Sequence, residues 1–344
     1  MTITLKKLKD QVIVITGASS GIGLATARMA ARRGARVVAA ARSEHELRQL
    51  IAEIEGHGGQ AVAVPADVGR EGDVRRIAEV AVRRFGGFDT WVNNAGVSIY
   101  GKLMEVPPQD HRQLFETNFW GTVYGSLTAA AHLRYRGGAI VNLGSVAGDR
   151  ALPLQGMYSA TKFAVKGFTE ALRMELQEQD GANVSVTLIK PASIGTPFPR
   201  HARNYLPVEP TLPPPVYAPD LVAEAILYAA EHPERELAVG GASKAISTLG
   251  AVAPRLMDQV TGRGMAEQQK TSRPAPRNRL GNLFGPSHDL AERMAVPERT
   301  TRETSVYTTA VLHPLATKVA LLGLSLAAGA VAYHLTNAVA GERG

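Results

Sequence analysis

Seven short apolar runs alternate with longer helix-patterned stretches over the first 250 residues, and this alternation constrains the fold more than any other feature. The runs are residues 11–16, 36–41, 61–65, 89–93, 139–144, 183–190 and 236–239. They are rich in Val and Ile and bounded by Gly, Pro or polar residues. Most are apolar on both faces. Such strands must be covered on both faces, which is the condition of parallel strands held between two helical layers. The intervening stretches, 21–33, 44–55, 71–85, 109–133, 158–179 and 220–231, have helical patterning. The expected architecture is α/β: a doubly wound parallel sheet of about seven strands with right-handed crossovers.

Composition narrows the function classes. Hydrophobic residues make up 45% and charged residues 20% of 344, enough to build a core. There is no cysteine, which excludes a disulfide scaffold, a thiolate metal site and a cysteine nucleophile. The net charge of +7 is spread along the chain without a basic stripe interleaved with aromatics, so no nucleic-acid partner is expected. Nine histidines are scattered without ligand spacing, and no metal is expected. Lys6, Lys7 and Lys9 precede only a short apolar run, too short for a signal sequence, so a cytoplasmic location is expected.

Three regions follow from this patterning. Residues 1–250 read as a dinucleotide-binding catalytic domain. Residues 251–314, of poor periodicity, read as a basic, partly ordered extension or linker. Residues 315–344 read as a hydrophobic C-terminal helix and candidate membrane anchor. Within the domain, residues 197–219 hold eight prolines, which rules out a regular helix or a central strand. They follow a strand end, where open α/β sheets bind ligands, and read as an active-site loop or a plain surface connection.

The first run ends in Thr16-Gly17-Ala18-Ser19-Ser20-Gly21-Ile22-Gly23 and leads into a helix. Glycines allow a tight turn and close backbone approach to a phosphate, and the helix N-terminus offers free N–H groups and a positive dipole end. Residues 17 and 19–23 are therefore candidate dinucleotide contacts. The second run ends in Ala41-Arg42. An acid at this position would favour an NAD ribose, whereas the Arg42 guanidinium can fork onto a 2′-phosphate, which points to NADP(H) unless Arg42 is merely a solvated surface residue. Asp67 and Val68 follow the third run; the carboxylate can accept from an adenine amino group or cap a turn. Asn93-Asn94-Ala95-Gly96 ends the fourth, with small residues that let the chain pass close to a cofactor. Tyr158 and Lys162 stand four apart, on one helix face. Ser145 lies just past the fifth run, and Asn118 lies inside the helical stretch before it. Singly, each has a bland reading as core, surface or turn.

Together, the residues from Thr16 to Gly23, Asn93 to Gly96, Asn118, Ser145 and Tyr158-x-x-x-Lys162 resemble the short-chain dehydrogenase/reductase family, over roughly residues 8–245. The resemblance implies a Rossmann fold, a nicotinamide cofactor, a catalytic group of Asn118, Ser145, Tyr158 and Lys162, and a homo-oligomer paired through the long helices. Arg42 is similar to the NADP-preferring members, although Ser20 stands where many of those carry a basic residue. The family's Pro-Gly after the sixth strand appears as Pro191-Ala192, followed by Ile194 and Thr196 at the nicotinamide loop. Nothing in the resemblance accounts for residues 250–344.

The chemistry then reads as hydride transfer between NADP(H) and a carbonyl/alcohol carbon of a small, partly apolar substrate. Tyr158 would be general acid in reduction and general base in oxidation. A nearby Lys162 ammonium should lower its pKa from about 10 and can also hold the ribose. Ser145 would hydrogen-bond the substrate oxygen, and Asn118 would hold a water that relays protons. Alternatives are a regulatory protein that binds NADP without turnover, or an isomerase on the same fold. Residues 319–341 lack any charged side chain and, as a helix, would span about 34 Å, against about 30 Å for a bilayer core. The competing reading is an Ala-rich helix docked on the protein.

Overall fold

The computed structural model describes residues 3–276, 281–294 and 300–319. Its centre is one seven-stranded sheet: β1 (Val12–Thr16), β2 (Arg36–Ala41), β3 (Ala61–Pro65), β4 (Thr90–Asn93), β5 (Gly138–Leu143), β6 (Val184–Pro191) and β7 (Glu236–Val239). The order is β3-β2-β1-β4-β5-β6-β7, and every neighbouring pair is parallel. The chain winds outward from β1 in one direction and from β4 in the other. The gap between β1 and β4 is thus the topological switch point, where sheets of this kind open a crevice at the strand ends.

The two-faced apolar pattern of β1 becomes two cores. Ile13 and Ile15 point to one face, beneath α1 (Gly21–Arg32) and α7 (Pro219–Glu231), where they meet Leu24, Val222 and Ile226. Val12 and Val14 point to the other, beneath α3 (Glu71–Phe85) and α5 (Gly121–Leu133), where they meet Ile77, Ala129 and Leu133. All are buried. Each such aliphatic side chain contributes about 1.5–3 kcal/mol by leaving water. The remaining helices flanking the sheet are α2 (Glu44–Gly56), α4 (Pro108–Phe115) and α6 (Gly156–Met174).

The stretch expected as one helix over 109–133 is interrupted. A π turn at Glu116–Trp120 lies between α4 and α5 and carries Asn118. Where α5 starts, Gly121 lies so close to Val68 that a β-carbon would sit 2.6 Å from its Cγ2. A second π turn, Glu175–Gln179, ends α6.

Residues 197–219 form neither a regular long helix nor a strand of the central sheet. They make a short helical turn, Phe198–His201, and four short pairings. Arg203–Asn204 pairs with Ile99–Tyr100; Val208–Pro210 pairs with Lys270–Pro274; Val216–Tyr217 pairs with Ser193–Ile194 and with Thr301–Arg302. Two of these partners lie beyond residue 250. The helix Val306–Leu312 also packs onto the domain: Leu312 joins the α1/α7 core, and Thr308 Oγ1 accepts from Gly240 N at 2.9 Å. Among the described residues no helix is long and apolar enough to cross a membrane. The candidate anchor over 319–341 lies outside the described residues apart from Val319.

Candidate active site

A cleft opens at the carboxyl ends of the strands, across the switch point. Of the candidate residues, Gly17, Ser19, Ser20, Gly21, Ile22, Arg42, Asp67, Val68, Asn94, Ala95, Gly96, Ser145, Tyr158, Lys162, Pro191, Ile194 and Thr196 all line it. Gly23 and Asn118 stand behind its wall and act on its shape.

The loop after β1 is tight for local reasons. Gly17 has φ +67°, a left-handed conformation, and a β-carbon there would meet Ala95 Cα at 2.8 Å. A β-carbon on Gly23 would lie 2.2 Å from Gly17 O. The Asn94 carboxamide ties the loop to the end of β4, donating to Thr16 O at 2.9 Å and Gly17 O at 3.2 Å. One expected donor is engaged within the protein: Gly21 N donates to Ala291 O at 2.9 Å. Asn93 faces inward, where it joins Ser126 and Asn142 in a buried polar network.

Arg42, at the end of β2, is half-buried rather than a solvated surface group. Its Nη2 donates to Asn282 O at 2.5 Å, and its buried Nη1 has no partner among the described residues. Burial lowers its pKa, partly opposed by the nearby Asp67 carboxylate. Asp67 caps its own turn, Oδ1 accepting from Gly69 N at 3.1 Å, and also forms part of the cleft wall.

The Ser145–Tyr158–Lys162 group comes from two elements. Ser145 follows β5 with an extended backbone, and its Oγ accepts from Ala147 N at 3.1 Å, capping the turn Val146–Gly148. Tyr158 lies in the first turn of α6, its ring edge-on to Phe198 with centroids 5.7 Å apart. Lys162 follows one turn later; its Nζ is 5.7 Å from the Tyr158 ring centre and donates to Leu143 O at 2.7 Å. Burial pushes the Tyr158 hydroxyl up to about 12, opposed by a hydrogen bond with Ser145. Burial pulls the Lys162 ammonium down to about 8. The expected lowering of Tyr158 by Lys162 is therefore not what this geometry yields. The dry surroundings favour the neutral phenol, and the ammonium is directed at a backbone carbonyl. At neutral pH the pair is a protonated phenol beside a charged amine.

Asn118 is fully buried in the π turn. Its Oδ1 accepts from Val97 N at 2.8 Å, and its Nδ2 donates to Val97 O at 3.0 Å and Thr161 Oγ1 at 3.2 Å. It clamps the segment after β4 to α6.

Further residues line the cleft, and those beyond residue 250 had no signal in the sequence. Phe198 and residues 212–215 come from the proline-rich loop and line the cleft. Met265, Asn282, Pro286 and Ser287 come from the stretch read as a linker. Their positions depend on contacts across more than two hundred residues, such as Ser43 Oγ donating to Ser287 O at 2.6 Å and Arg28 Nη1 donating to Glu292 at 2.9 Å. Asp149 was also missed: it accepts from Lys166 Nζ, Lys190 Nζ and Ser247 Oγ, each at 2.6 Å, just behind the Ser145 turn.

This geometry can be set beside known proteins. The short chain dehydrogenase family pattern matches residues 11–205. The chain belongs to the short-chain dehydrogenase/reductase family. Among its relatives, a Bacillus subtilis protein described as an uncharacterized oxidoreductase, YxnA, is 49% identical over 325 residues, covering 94% of this chain and 91% of that protein. A match of that extent runs well beyond residue 250. An 11-beta-hydroxysteroid dehydrogenase A of Sesamum indicum is 38% identical over 195 residues, 56% of this chain and 55% of that one. The X-ray structure of an alcohol dehydrogenase from Thermococcus sibiricus, complexed with 5-hydroxy-NADP, superposes with a TM-score of 0.58 at 26% identity, covering 67% of this chain and 95% of that one.

The short-chain dehydrogenase/reductase fold and these relatives make the protein a dehydrogenase/reductase with a nicotinamide cofactor and a small-molecule substrate. The residues present fit that cofactor. Gly17 and Gly23 leave a cradle that side chains would fill, and Arg42 lines the same cleft with its buried Nη1 lacking a partner among the described residues.

Proposed function

We propose that the protein is an NADP(H)-dependent carbonyl reductase/alcohol dehydrogenase in which Tyr158 is the proton donor of reduction. The carrying observation is that Ser145, Tyr158 and Lys162 line one cleft together with the glycine loop and Arg42. Bound NADPH would supply the hydride. Tyr158, held protonated by burial, gives its proton to the carbonyl oxygen as the alcohol forms. Ser145 donates to the same oxygen and stabilises the charge that develops there. Lys162 keeps a positive charge beside the phenolate left behind and can hold the ribose hydroxyls. Asn118 positions the segment from Ala95 to Val97, and on the family's pattern it also holds the water that returns a proton to Tyr158. The Arg42 guanidinium selects the 2′-phosphate and hence NADP(H) over NAD(H).

The cleft is also lined by the apolar side chains of Val97, Leu152, Phe198, Leu212 and Met265. These side chains suit a bulky apolar ketone, aldehyde or secondary alcohol, which is consistent with the hydroxysteroid substrate in the name of one relative. The enzyme is proposed to be cytoplasmic, with residues 319–341 anchoring it to the cytoplasmic face of a membrane.

Loss of NADPH absorbance with a panel of ketones and aldehydes tests this reading. Wild type should turn over apolar carbonyls. Tyr158→Phe should bind NADPH as wild type does but lose turnover by orders of magnitude. Near-wild-type turnover in that variant would remove Tyr158 from its role.

A further inference from the structure

Residues 281–294 belong to no part of the family pattern, which ends at residue 205. They nevertheless lie along the rim of the cofactor cleft, crossing the ends of β1 and β2. Four contacts hold them there. Asn282 N donates to His201 O at 2.7 Å, Ser43 Oγ to Ser287 O at 2.6 Å, Gly21 N to Ala291 O at 2.9 Å, and Arg28 Nη1 to Glu292 Oε1 at 2.9 Å. Two of these donors, Gly21 and Ser43, belong to the cleft wall itself.

At one point this strap changes the chemistry of the cleft. The Asn282 carbonyl accepts from Arg42 Nη2, which fixes the guanidinium at the cleft wall. Arg42 Nη1 is buried and without a partner among the described residues, and so is the Asn282 side-chain oxygen. Both residues line the same cleft. A buried donor and a buried acceptor left unmade are each costly, so a site that retains both is matched to a ligand that satisfies both. A phosphorylated ribose is such a ligand: its phosphate oxygens accept, and its neighbouring hydroxyl donates.

We infer that Asn282, contributed by the C-terminal strap, completes the 2′-phosphate pocket with Arg42 and is a specificity-determining residue for the cofactor. The inference rests on the NADP(H) reading above and adds the strap to it. Asn282 acts twice: its backbone carbonyl orients Arg42, and its side chain contacts the phosphorylated ribose.

Equilibrium titration of the full chain with NADPH and with NADH, followed by nicotinamide fluorescence, tests it. Asn282→Asp keeps an acceptor but adds a negative charge beside the phosphate. It should weaken NADPH binding tenfold or more and leave NADH within twofold of wild type. Asn282→Ala, which adds no charge, should weaken NADPH binding several-fold and covers the case in which the Asp variant disturbs the strap. Arg42→Ala should abolish the NADPH preference. If wild type and Arg42→Ala behave in this way while both Asn282 variants bind NADPH within twofold of wild type, the strap inference is overturned and the cofactor reading stands. If wild type binds NADH as tightly as NADPH, the cofactor reading fails and the pocket fails with it.

Discussion

Lys162 shows how a single proton depends on the surrounding fold. Its spacing from Tyr158 is visible in the chain, because four residues make one helical turn. Its charge state is not, because that depends on burial and on the Leu143 carbonyl, nineteen residues away. With the ammonium pulled down to about 8, the charged form is full below that value and lost as pH rises through it. The rate of carbonyl reduction at saturating NADPH should therefore be level between pH 6 and 7 and decline above about 8. Unfolding would not explain the decline. Between about 8 and the ordinary value of 10.5 the unfolded chain binds the proton and the folded chain does not, so this group's contribution to stability rises with pH there. Lys162→Met should lower kcat at pH 7 and flatten the decline; an unchanged profile would remove Lys162 as its source. Gly23 is the opposite case, legible from local pattern alone. A β-carbon 2.2 Å from Gly17 O forces the loop apart, so Gly23→Ala should lower NADPH affinity at least tenfold in the same fluorescence titration.

At the scale of elements, strand and helix order was legible because alternation and two-faced apolar runs are local signals. The π turns were not, because Glu116–Trp120 keeps helical patterning on either side. Nor was the junction behind the Ser145 turn, where Asp149 joins α6, β6 and the helix Gly241–Val252 through Lys166, Lys190 and Ser247. Burial pushes the Asp149 carboxyl up, but the three hydrogen bonds outweigh it and hold the group at about 2. Its stabilising contribution is present above the ordinary value of 3.8 and is lost as pH falls toward 2. Asp149→Asn removes one of the two carboxylates paired with the buried Lys190 ammonium, Glu236 being the other, and should cost about 1.5–3 kcal/mol in urea unfolding at pH 7. At pH 2 the difference from wild type should shrink. On the outer face of α5 and α6, Leu127 and Phe163 are exposed, with Trp120 beside them on the π turn. The family commonly pairs such helices, so wild type is expected to sediment as an oligomer at micromolar concentration. Leu127→Glu combined with Phe163→Glu should sediment as a monomer; a monomeric wild type would end that expectation.

At the scale of the whole molecule, the region after residue 250 was the least legible. Its elements are two- to five-residue strands and short helices whose partners lie far away in sequence, such as Lys270–Pro274 on Val208–Pro210 and Thr301–Arg302 on Val216–Tyr217. Pairings this short leave no periodicity to read, and tertiary contact alone sets them. They also decide where the chain can be cut to test the membrane anchor. A chain ending at residue 253 would lose both Leu312 and Thr308, and one ending at 309 would lose Leu312 and cut the helix Val306–Leu312 short, so loss of function would follow from damage to the fold. Ending it at Lys318 spares both and removes the uncharged run over 319–341. If that run spans a bilayer, the full chain should stay in the membrane pellet through a carbonate wash, while the chain ending at Lys318 should stay in the supernatant with unchanged kcat. Arg299, Arg302 and Lys318 on the N-terminal side of the run would keep the cleft on the cytoplasmic side, within reach of NADPH. A full-length protein that remains in the supernatant without detergent would overturn the anchor and leave the run as an Ala-rich helix docked on the protein.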